Sequence, residues 1–288
     1  MANLQALRRR IASVKNTQKI TKAMKMVAAS KLRRAQLRIL AFRPYALRIR
    51  QAVRDLSGRA NRAAHPLLQK RPVRHIRVTV VTSDRGLCGA FNANIFRKAL
   101  QVIQECEATG AQVSIAVVGK KGGEYFRRRQ WPVNDLFIDI FHLVTFEHAI
   151  EIASTAAQAY TNGEFDEVRI VYNEFKSAIQ QRVVVDKVLP IEPLEESGNT
   201  VYGAGYLYEP DEEEILAALL PKWAQVGVFH ILLESSAAEQ SARMTAMDGA
   251  TRNAGDMIRR LTLLYNRSRQ EAITKELMDI VGGAEALR

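Results

Sequence analysis

Two glycine-containing segments lie where a phosphate group could bind. Residues 83–92 (SDRGLCGAFN) follow an apolar run and precede a segment with helical spacing, and residues 119–123 (GKKGG) follow the next apolar run. Backbone N–H groups at the start of a helix can bind an anion. Neither segment has the GxGxxG spacing of dinucleotide sites or the GxxxxGK[ST] spacing of nucleotide-phosphate loops. The pattern therefore favours structural turns over a nucleotide site.

Side chains that could bind a metal ion are scattered along the chain. The five histidines show neither HxxxH nor HxH spacing, which argues against a zinc site. The acidic run at residues 211–214 lacks Asn or Gly at the spacing of a calcium loop. The two cysteines, Cys88 and Cys106, are too few for a disulfide framework, so we expect free thiols in a reducing compartment. We expect no catalytic residue, no metal and no cofactor in this chain.

The first 54 residues are strongly basic, with 15 Lys or Arg and no Asp or Glu. Because the whole chain has 42 basic and 30 acidic residues, the positive excess lies in this segment. Such charge could neutralise nucleic-acid phosphates or match an acidic protein surface. The segment up to Leu40 has no aromatic side chain on which a base could stack. Charge alone leaves both kinds of partner open.

The basic segment also has the spacing of a helix that pairs with another helix. Its apolar and small residues recur at intervals of three and four, as in a coiled-coil seam. The seam residues are Leu4, Leu7, Ile11, Val14, Gln18, Thr21, Lys25, Ala28, Leu32 and Ala35. The segment has no Gly before Gly58 and one proline, Pro44, at which we expect a kink. The pattern predicts one helix over residues 4–57, about 80 Å long and too long to be buried in its own domain.

The middle of the chain alternates between β-branched segments and segments of helical spacing. The predicted strands are residues 75–82, 113–118, 136–141, 167–172 and 181–189. The predicted helices are residues 92–107, 120–130 and 146–162. This alternation is typical of an α/β layer with a largely parallel sheet.

The C-terminal part has a second helix of the same kind. After a turn-rich stretch at residues 195–210, helical spacing resumes at residues 211–220. Pro221 should break or kink that helix, or begin a new one. A long helix is then predicted from Lys222 to the glycine pair at residues 282–283. Its predicted seam is Met247, Ala250, Ala254, Met257, Leu261 and Leu264. The two chain ends should therefore pair as an antiparallel coiled coil.

The bulk composition fits a folded protein of one or two domains. The chain has 288 residues, of which 47% are hydrophobic, so it can bury a sizeable core. No apolar run approaches the roughly 18 residues that a membrane-spanning helix needs. We therefore expect a soluble or membrane-peripheral protein.

Three blocks of the sequence resemble a known family. Residues 20–36 (ITKAMKMVAASKLRRAQ), residues 83–92 and residues 240–287 are similar to the signature blocks of the gamma subunit of F-type ATP synthase. Residues 206–211 (YLYEPD) extend the resemblance, which covers essentially the full chain. The fold that it implies is α/β with a long antiparallel coiled coil. The N- and C-terminal helices form a rod, and a Rossmann-like α/β domain is inserted between them.

The domain division that follows has four parts. Residues 1–57 form the N-terminal coiled-coil helix, and residues 73–192 form the α/β domain. Residues 193–221 form a connection and a short helix of the foot on the membrane ring. Residues 222–288 form the C-terminal coiled-coil helix.

The function that the resemblance implies is mechanical. The chain would be the central rotor shaft that transmits torque between the ion-driven membrane ring and the catalytic hexamer during ATP synthesis or hydrolysis, without being catalytic itself. The implied partners are the alpha and beta subunits, the epsilon subunit and the membrane c-ring, with no nucleic acid. The implied location is the cytoplasmic face of the bacterial inner membrane, reached only through the complex.

Ten residues match family positions that contact other subunits. Those expected near the acidic lever loop of the catalytic subunits are Lys22, Met24 and Lys25. Those expected to couple rotation to catalysis are Arg243, Gln270, Thr274 and Glu276. Those expected in an apolar bearing near the tip are Leu277, Ile280 and Val281. Each could instead be an ordinary surface residue of the coiled coil.

Two other functions remain as alternatives from the residues alone. One is a basic coiled-coil protein that binds nucleic acid. The other is an α/β enzyme that binds a nucleotide at residues 83–92.

Overall fold

The computed structural model describes residues 2–57, 65–177, 180–191 and 211–285. These residues form two compact units. Unit 1 is Met1–Ala29 with Arg243–Arg288, and unit 2 is Ser30–Ala242. The helices are α1 (Ala2–Ser57), α2 (Phe91–Ala108), α3 (Lys120–Arg128), α4 (Phe146–Thr161) and α5 (Glu212–Glu285). The strands are β1 (His75–Val81), β2 (Gln112–Val118), β3 (Val133–Phe137), β4 (Glu167–Phe175) and β5 (Gln181–Leu189).

Unit 2 contains a five-stranded sheet in the order β3-β2-β1-β4-β5. Strands β1 to β4 are parallel, and β5 pairs with β4 in the antiparallel sense. On one face, α2 packs Ile95 and Ala99 against Val78 of β1. On the other face, α4 and α5 pack against Ile170 of β4 and neighbouring residues. The predicted α/β layer with a largely parallel sheet is confirmed.

Most predicted elements of unit 2 occur within a few residues of their expected bounds, but β3 does not. The sequence predicted a strand at residues 136–141, whereas β3 covers Val133–Phe137. Asp139 has a φ of 60°, and a 3-10 helix follows at Ile140–His142. Ile140 is 2% exposed. Ile140 and Phe141 therefore fill the core from a 3-10 turn. Apolar patterning in the sequence does not distinguish such a turn from a strand.

Of the outcomes expected at Pro221, a helix break and the start of a new helix are not found, because α5 continues through this residue. A proline inside a helix costs about 3 kcal/mol, since it removes a backbone donor and crowds the preceding turn. Leu216, Leu220 and Ala224 around it are all buried, and burying a leucine contributes about 2 kcal/mol. Packing on both sides thus outweighs the local cost. Helix α1 likewise continues through Pro44.

The halves of α1 and α5 in unit 2 pack into the same core as the sheet. Val53 and Leu56 of α1 join Leu220 of α5 in one buried cluster. The ring of Phe42 meets the ring of Phe229 edge to face, with centroids 4.7 Å apart. The boundary between the units therefore falls inside both long helices, after residues 29 and 242.

Helix α5 is long and apolar enough to cross a membrane by length and composition alone. Within Glu213–Gly283, a window has a mean hydropathy of 1.5 and is 44% buried. This corrects the expectation that no apolar stretch would approach that length. Leu232 and Leu233 are each 1% exposed in the core of unit 2. Because a buried core helix meets the same criteria, the feature does not by itself indicate a membrane span.

Candidate functional site: the paired helices of unit 1

The α1 side of unit 1 is built on the predicted seam. Leu7, Thr21 and Ala28 are buried, at 8%, 8% and 1% exposure. The seam residues between them are partly buried, whereas most residues between seam positions are exposed. The three-and-four spacing therefore places one face of α1 against α5, as the sequence predicted.

Side-chain contacts show that the two helices run antiparallel. The guanidinium of Arg8 lies 6.0 Å from the ring centre of Tyr265. The hydroxyls of Thr21 and Thr251 are 2.8 Å apart. The ammonium of Lys25 lies 2.6 Å from Oδ1 of Asp248. Partners on α5 descend in number as those on α1 ascend, which confirms the predicted antiparallel pairing.

The seam of α5 differs from the predicted one at three positions, where Thr251, Ile258 and Tyr265 replace Ala250, Met257 and Leu264. Met257 and Leu264 are 46% and 49% exposed. The adjacent residues Ile258 and Tyr265 are partly buried instead. The observed seam is Met247, Thr251, Ala254, Ile258, Leu261, Tyr265, Ser268 and Ala272. The polar Thr251 and Tyr265 belong to this face because α1 supplies partners for them, a feature that apolar spacing cannot reveal.

The structure brings the three residues expected near the lever loop together with Arg243, one of the four residues expected to couple rotation to catalysis. Lys22 is exposed, Met24 is half-buried, and Lys25 is partly buried by its pair with Asp248. By the antiparallel register, the partly buried Arg243 lies opposite Ala29, about one helical turn beyond Lys25. Lys22, Met24, Lys25 and Arg243 therefore share one short stretch of the paired helices.

The other three coupling residues begin at Gln270, 27 residues after Arg243, which is about 40 Å farther along α5. Gln270, Thr274 and Glu276 are all exposed. The register places residue 270 opposite the start of α1, so α5 continues beyond it without α1 alongside. The predicted coupling residues therefore lie in two separate places on α5, at Arg243 and at residues 270–276.

The end of α5 presents apolar side chains to solvent. Leu277, Ile280 and Val281 are 57%, 68% and 56% exposed. Ile273 and Met278 add to the same patch, at 49% and 67% exposure. We call these five residues the apolar tip. An exposed apolar patch of this kind is typical of a surface that contacts a partner protein, a membrane or a ligand.

Two residues at the site were missed by the sequence analysis. Asp248 holds Lys25 and also lies 3.3 Å from Arg252 through its Oδ2 atom. Thr251 contacts Thr21 across the helices. An acidic residue one position after the seam residue Met247 was the available signal, because such flanking positions often carry ion pairs between helices.

The loop at residues 83–92 forms a closed hydrogen-bonded turn. The carboxylate of Asp84 accepts from the backbone N–H of Lys120 at 3.0 Å, of Asp139 at 3.2 Å and of Phe141 at 3.0 Å. Asp84 thus occupies the start of α3, where a phosphate would otherwise accept the same donor. Asn92 bonds Ser83 through both ends of its amide. The loop is a structural turn, as its spacing indicated.

The second glycine segment is constrained in the same way. Gly119 has a φ of 99°, and a Cβ there would lie 2.2 Å from the carbonyl oxygen of Thr82. A Cβ on Gly122 would lie 2.5 Å from Val117. Gly119 is needed because its φ is positive and the backbone of Thr82 lies close to it, and Gly122 because the side chains of Val117 and Thr82 pack against its Cα. Among the described residues, no group of three or more His, Cys, Asp or Glu is placed to hold a metal ion.

Comparison with known proteins decides the family. A family model described as ATP synthase matches residues 3–287. The ATP synthase gamma chain of Desulforamulus reducens is 47% identical over 288 residues, covering 100% of both chains. The chain belongs to the ATP synthase gamma-chain family. The gamma chains of Geotalea daltonii and Chlorobaculum parvum are 46% and 47% identical, again over the full length of both chains.

Solved structures agree with the family and the fold. A chain from the central stalk and c-ring of the Tetrahymena thermophila mitochondrial ATP synthase is 28% identical, with a TM-score of 0.60, and the match covers 80% of this chain and 99% of that one. A chain of the Euglena gracilis enzyme is 23% identical, with a TM-score of 0.69 and 99% and 95% coverage, and shows the same fold. The alternative of a nucleic-acid-binding coiled coil finds no support among these relatives.

Proposed function

We propose that this gamma-chain family member is the central rotor shaft of its ATP synthase. It transmits torque between the ion-driven membrane ring and the catalytic hexamer, and it is not itself catalytic. The observation that carries the proposal is the match to gamma chains over the full length. The exposed apolar tip at the end of the paired helices agrees with it, because that surface calls for a partner.

The apolar tip is the proposed bearing in the hexamer. Burying Leu277, Ile280 and Val281 against partner side chains would contribute about 2 kcal/mol each. Apolar contacts are non-directional, so they hold the helix end without favouring one rotary angle. The apolar tip can therefore rotate against apolar side chains of the hexamer while water stays excluded from the contact.

The polar residues are the proposed coupling contacts. Lys22 is exposed and has no ion pair among the described residues, so its charge is available to an acidic lever loop. Lys25 is already paired with Asp248, yet its side chain remains 44% exposed. Arg243, Gln270, Thr274 and Glu276 serve the same purpose on α5. A rotor that contacts the three catalytic subunits unequally biases each of them towards a different conformation. The rotary angle thereby determines which conformation each catalytic subunit adopts.

The proposed partners are the alpha and beta subunits, the epsilon subunit and the c-ring. One solved relative belongs to the central stalk and c-ring of its ATP synthase, and another to an assembly of OSCP, F1 and c-ring. The acid-free stretch before Asp55 suits acidic surfaces of such partners. We place the chain at the cytoplasmic face of the bacterial membrane, held there through the complex.

The proposed division of labour follows the chain. Residues 1–57 and 222–288 serve as the shaft, residues 73–192 as the foot on the ring, and residues 193–221 as the connection within the foot. A non-catalytic role is supported by the loop at residues 83–92, where Asp84 occupies the start of α3.

Reversible arrest of the shaft tests the proposal. Lys22→Cys would be paired with a cysteine in the acidic lever loop of one catalytic subunit and oxidised in the assembled complex. ATP hydrolysis and ion pumping should both stop and should both return with reductant. The control is Ile138→Cys, 49% exposed in unit 2, with the same lever cysteine. Full hydrolysis by fully cross-linked complex would contradict a rotor role.

A further inference from the structure

The middle of the helix seam in unit 1 is polar, although the seam on one side of it is apolar. Gln18, Thr21 and Lys25 of α1 meet Asp248 and Thr251 of α5. We call these five residues the polar layer. Towards the start of α1 the seam is apolar, with Leu7, Ile11 and Val14 on α1 and Ile258 and Leu261 on α5. The polar layer thus lies directly beside an apolar stretch of the seam, beyond which α5 contributes Tyr265 and Ser268.

Each member of the polar layer has a partner on the other helix. The side-chain amide of Gln18 donates to the carbonyl oxygen of Thr251 at 3.4 Å. The hydroxyls of Thr21 and Thr251 lie 2.8 Å apart. The ammonium of Lys25 donates to Asp248 at 2.6 Å. These contacts are directional, so they form at one axial position of the helices and no other.

The surrounding seam offers little resistance to axial sliding. The part of α5 beside the polar layer has several small residues, including Gly249, Ala250 and Ala254. Small side chains allow close approach but provide shallow knobs and holes. An apolar seam also matches itself again after one heptad, because its spacing repeats. Gly255 belongs to the same region, since a Cβ there would lie 3.1 Å from the amide nitrogen of Gln18.

We infer that the polar layer fixes the axial register of α1 on α5. A displacement of one heptad would separate Lys25 from Asp248 and the hydroxyl of Thr21 from that of Thr251. Thr21 is 8% exposed. Its hydroxyl would keep its hydrogen bond to the carbonyl oxygen of Gln18 but would lose the donor from Thr251, which water cannot easily replace at a buried position. Polar residues at single seam positions set register in coiled coils at some expense of stability. The polar layer would fix this register whether or not the chain rotates.

Disulfide trapping in the assembled, resting complex tests this. Val14→Cys with Ile258→Cys reports the native register, and Val14→Cys with Tyr265→Cys reports a displacement of one heptad, about 10 Å. An apolar variant carries Thr21→Val, Lys25→Met, Asp248→Leu and Thr251→Val. We expect the displaced cross-link to rise about tenfold relative to the native one, which corresponds to about 1.4 kcal/mol of register preference.

The matched control is Thr21→Ser with Thr251→Ser, which keeps both hydroxyls and the ion pair and should behave like the parent. A milder variant, Thr21→Val with Thr251→Val, is included in case the variant with four substitutions assembles poorly. In this milder variant the displaced cross-link should rise by a smaller factor. An unchanged cross-link ratio in both apolar variants would overturn the inference. An equal rise in the serine control would overturn it as well, because the effect would then not depend on the hydrogen bonds.

Discussion

The ammonium nitrogen of Lys25 lies 2.6 Å from a carboxylate oxygen of Asp248, a residue 223 positions later in the chain. This pair joins the first and last helices of the protein. The family resemblance placed Lys25 near a catalytic subunit, whereas the structure first gives it an intramolecular partner. With 44% of its side chain exposed, Lys25 can serve both purposes.

The ion pair predicts a pH dependence of stability. The hydrogen bond from Lys25 holds the pKa of Asp248 below its usual value. A carboxyl whose pKa is lower in the folded state stabilises the fold above its unfolded pKa, and this contribution is lost as pH falls through the folded value. Asp248→Asn should therefore lower the melting temperature at neutral pH. It should not do so at a pH below the folded pKa of Asp248, where the carboxyl is protonated. In a Lys25→Met background the effect at neutral pH should be smaller, because among the described residues only the exposed Arg252 then pairs with Asp248.

Met24→Lys should impair coupling more than catalysis. A half-buried methionine on a rotor slides past successive surfaces with little specific interaction. An added cation would pair with an acidic lever residue at some angles only, contributing on the order of 1 kcal/mol there. We expect assembled complex that hydrolyses ATP but pumps fewer ions per ATP, measured in vesicles. Met24→Leu is the control, and an unchanged ratio in Met24→Lys would remove this residue from the coupling surface.

Asp84→Asn should loosen the turn that positions α3. It weakens three acceptor contacts, to Lys120, Asp139 and Phe141, at an expected cost of about 2 kcal/mol. The backbone amides of these three residues should then exchange with solvent roughly 30-fold faster in hydrogen-exchange measurements. Asp139→Asn makes the same charge change at an exposed left-handed residue and should leave exchange at Lys120 and Phe141 nearly unchanged. Equal protection in both variants would contradict the assigned role of Asp84.

The apolar tip should make the isolated chain poorly soluble. Replacing Leu277, Ile280 and Val281 with serine should raise the concentration at which the free chain stays monodisperse, measured by light scattering. The same variant should assemble less well with the hexamer subunits, because it loses the buried apolar contacts. Leu263→Ser is the control, since Leu263 is 71% exposed elsewhere on α5. Unimpaired assembly of the triple variant would contradict the bearing.

The sequence predicted the helix pairing well because spacing carries that information. Every seam position of α1 from Leu7 to Ala28 is buried or partly buried. On α5, Ala250 and Thr251 fit the pattern about equally, and only the contact with Thr21 distinguishes them. The expected break at Pro221 was wrong for a related reason, since the local cost of a proline is visible in the sequence but the burial of Leu216 and Leu220 around it is not.

The site itself was less predictable than the fold. Lys22, Leu277 and Ile280 are exposed residues whose expected partners lie on other chains, so no pattern within this chain identifies them. Their assignment came from the resemblance to a family. Asp248 and Thr251 were missed because a polar pair across two helices needs residues far apart in sequence to be matched in register.

Direct observation of rotation tests the central claim. The native thiols of Cys88 and Cys106 are buried, so a bead can be attached through Ile138→Cys, which is 49% exposed. With the hexamer fixed to a surface, addition of ATP should turn the bead continuously in one direction, and removal of ATP should stop it. A bead that stays fixed relative to the hexamer while ATP hydrolysis continues would contradict the rotor role.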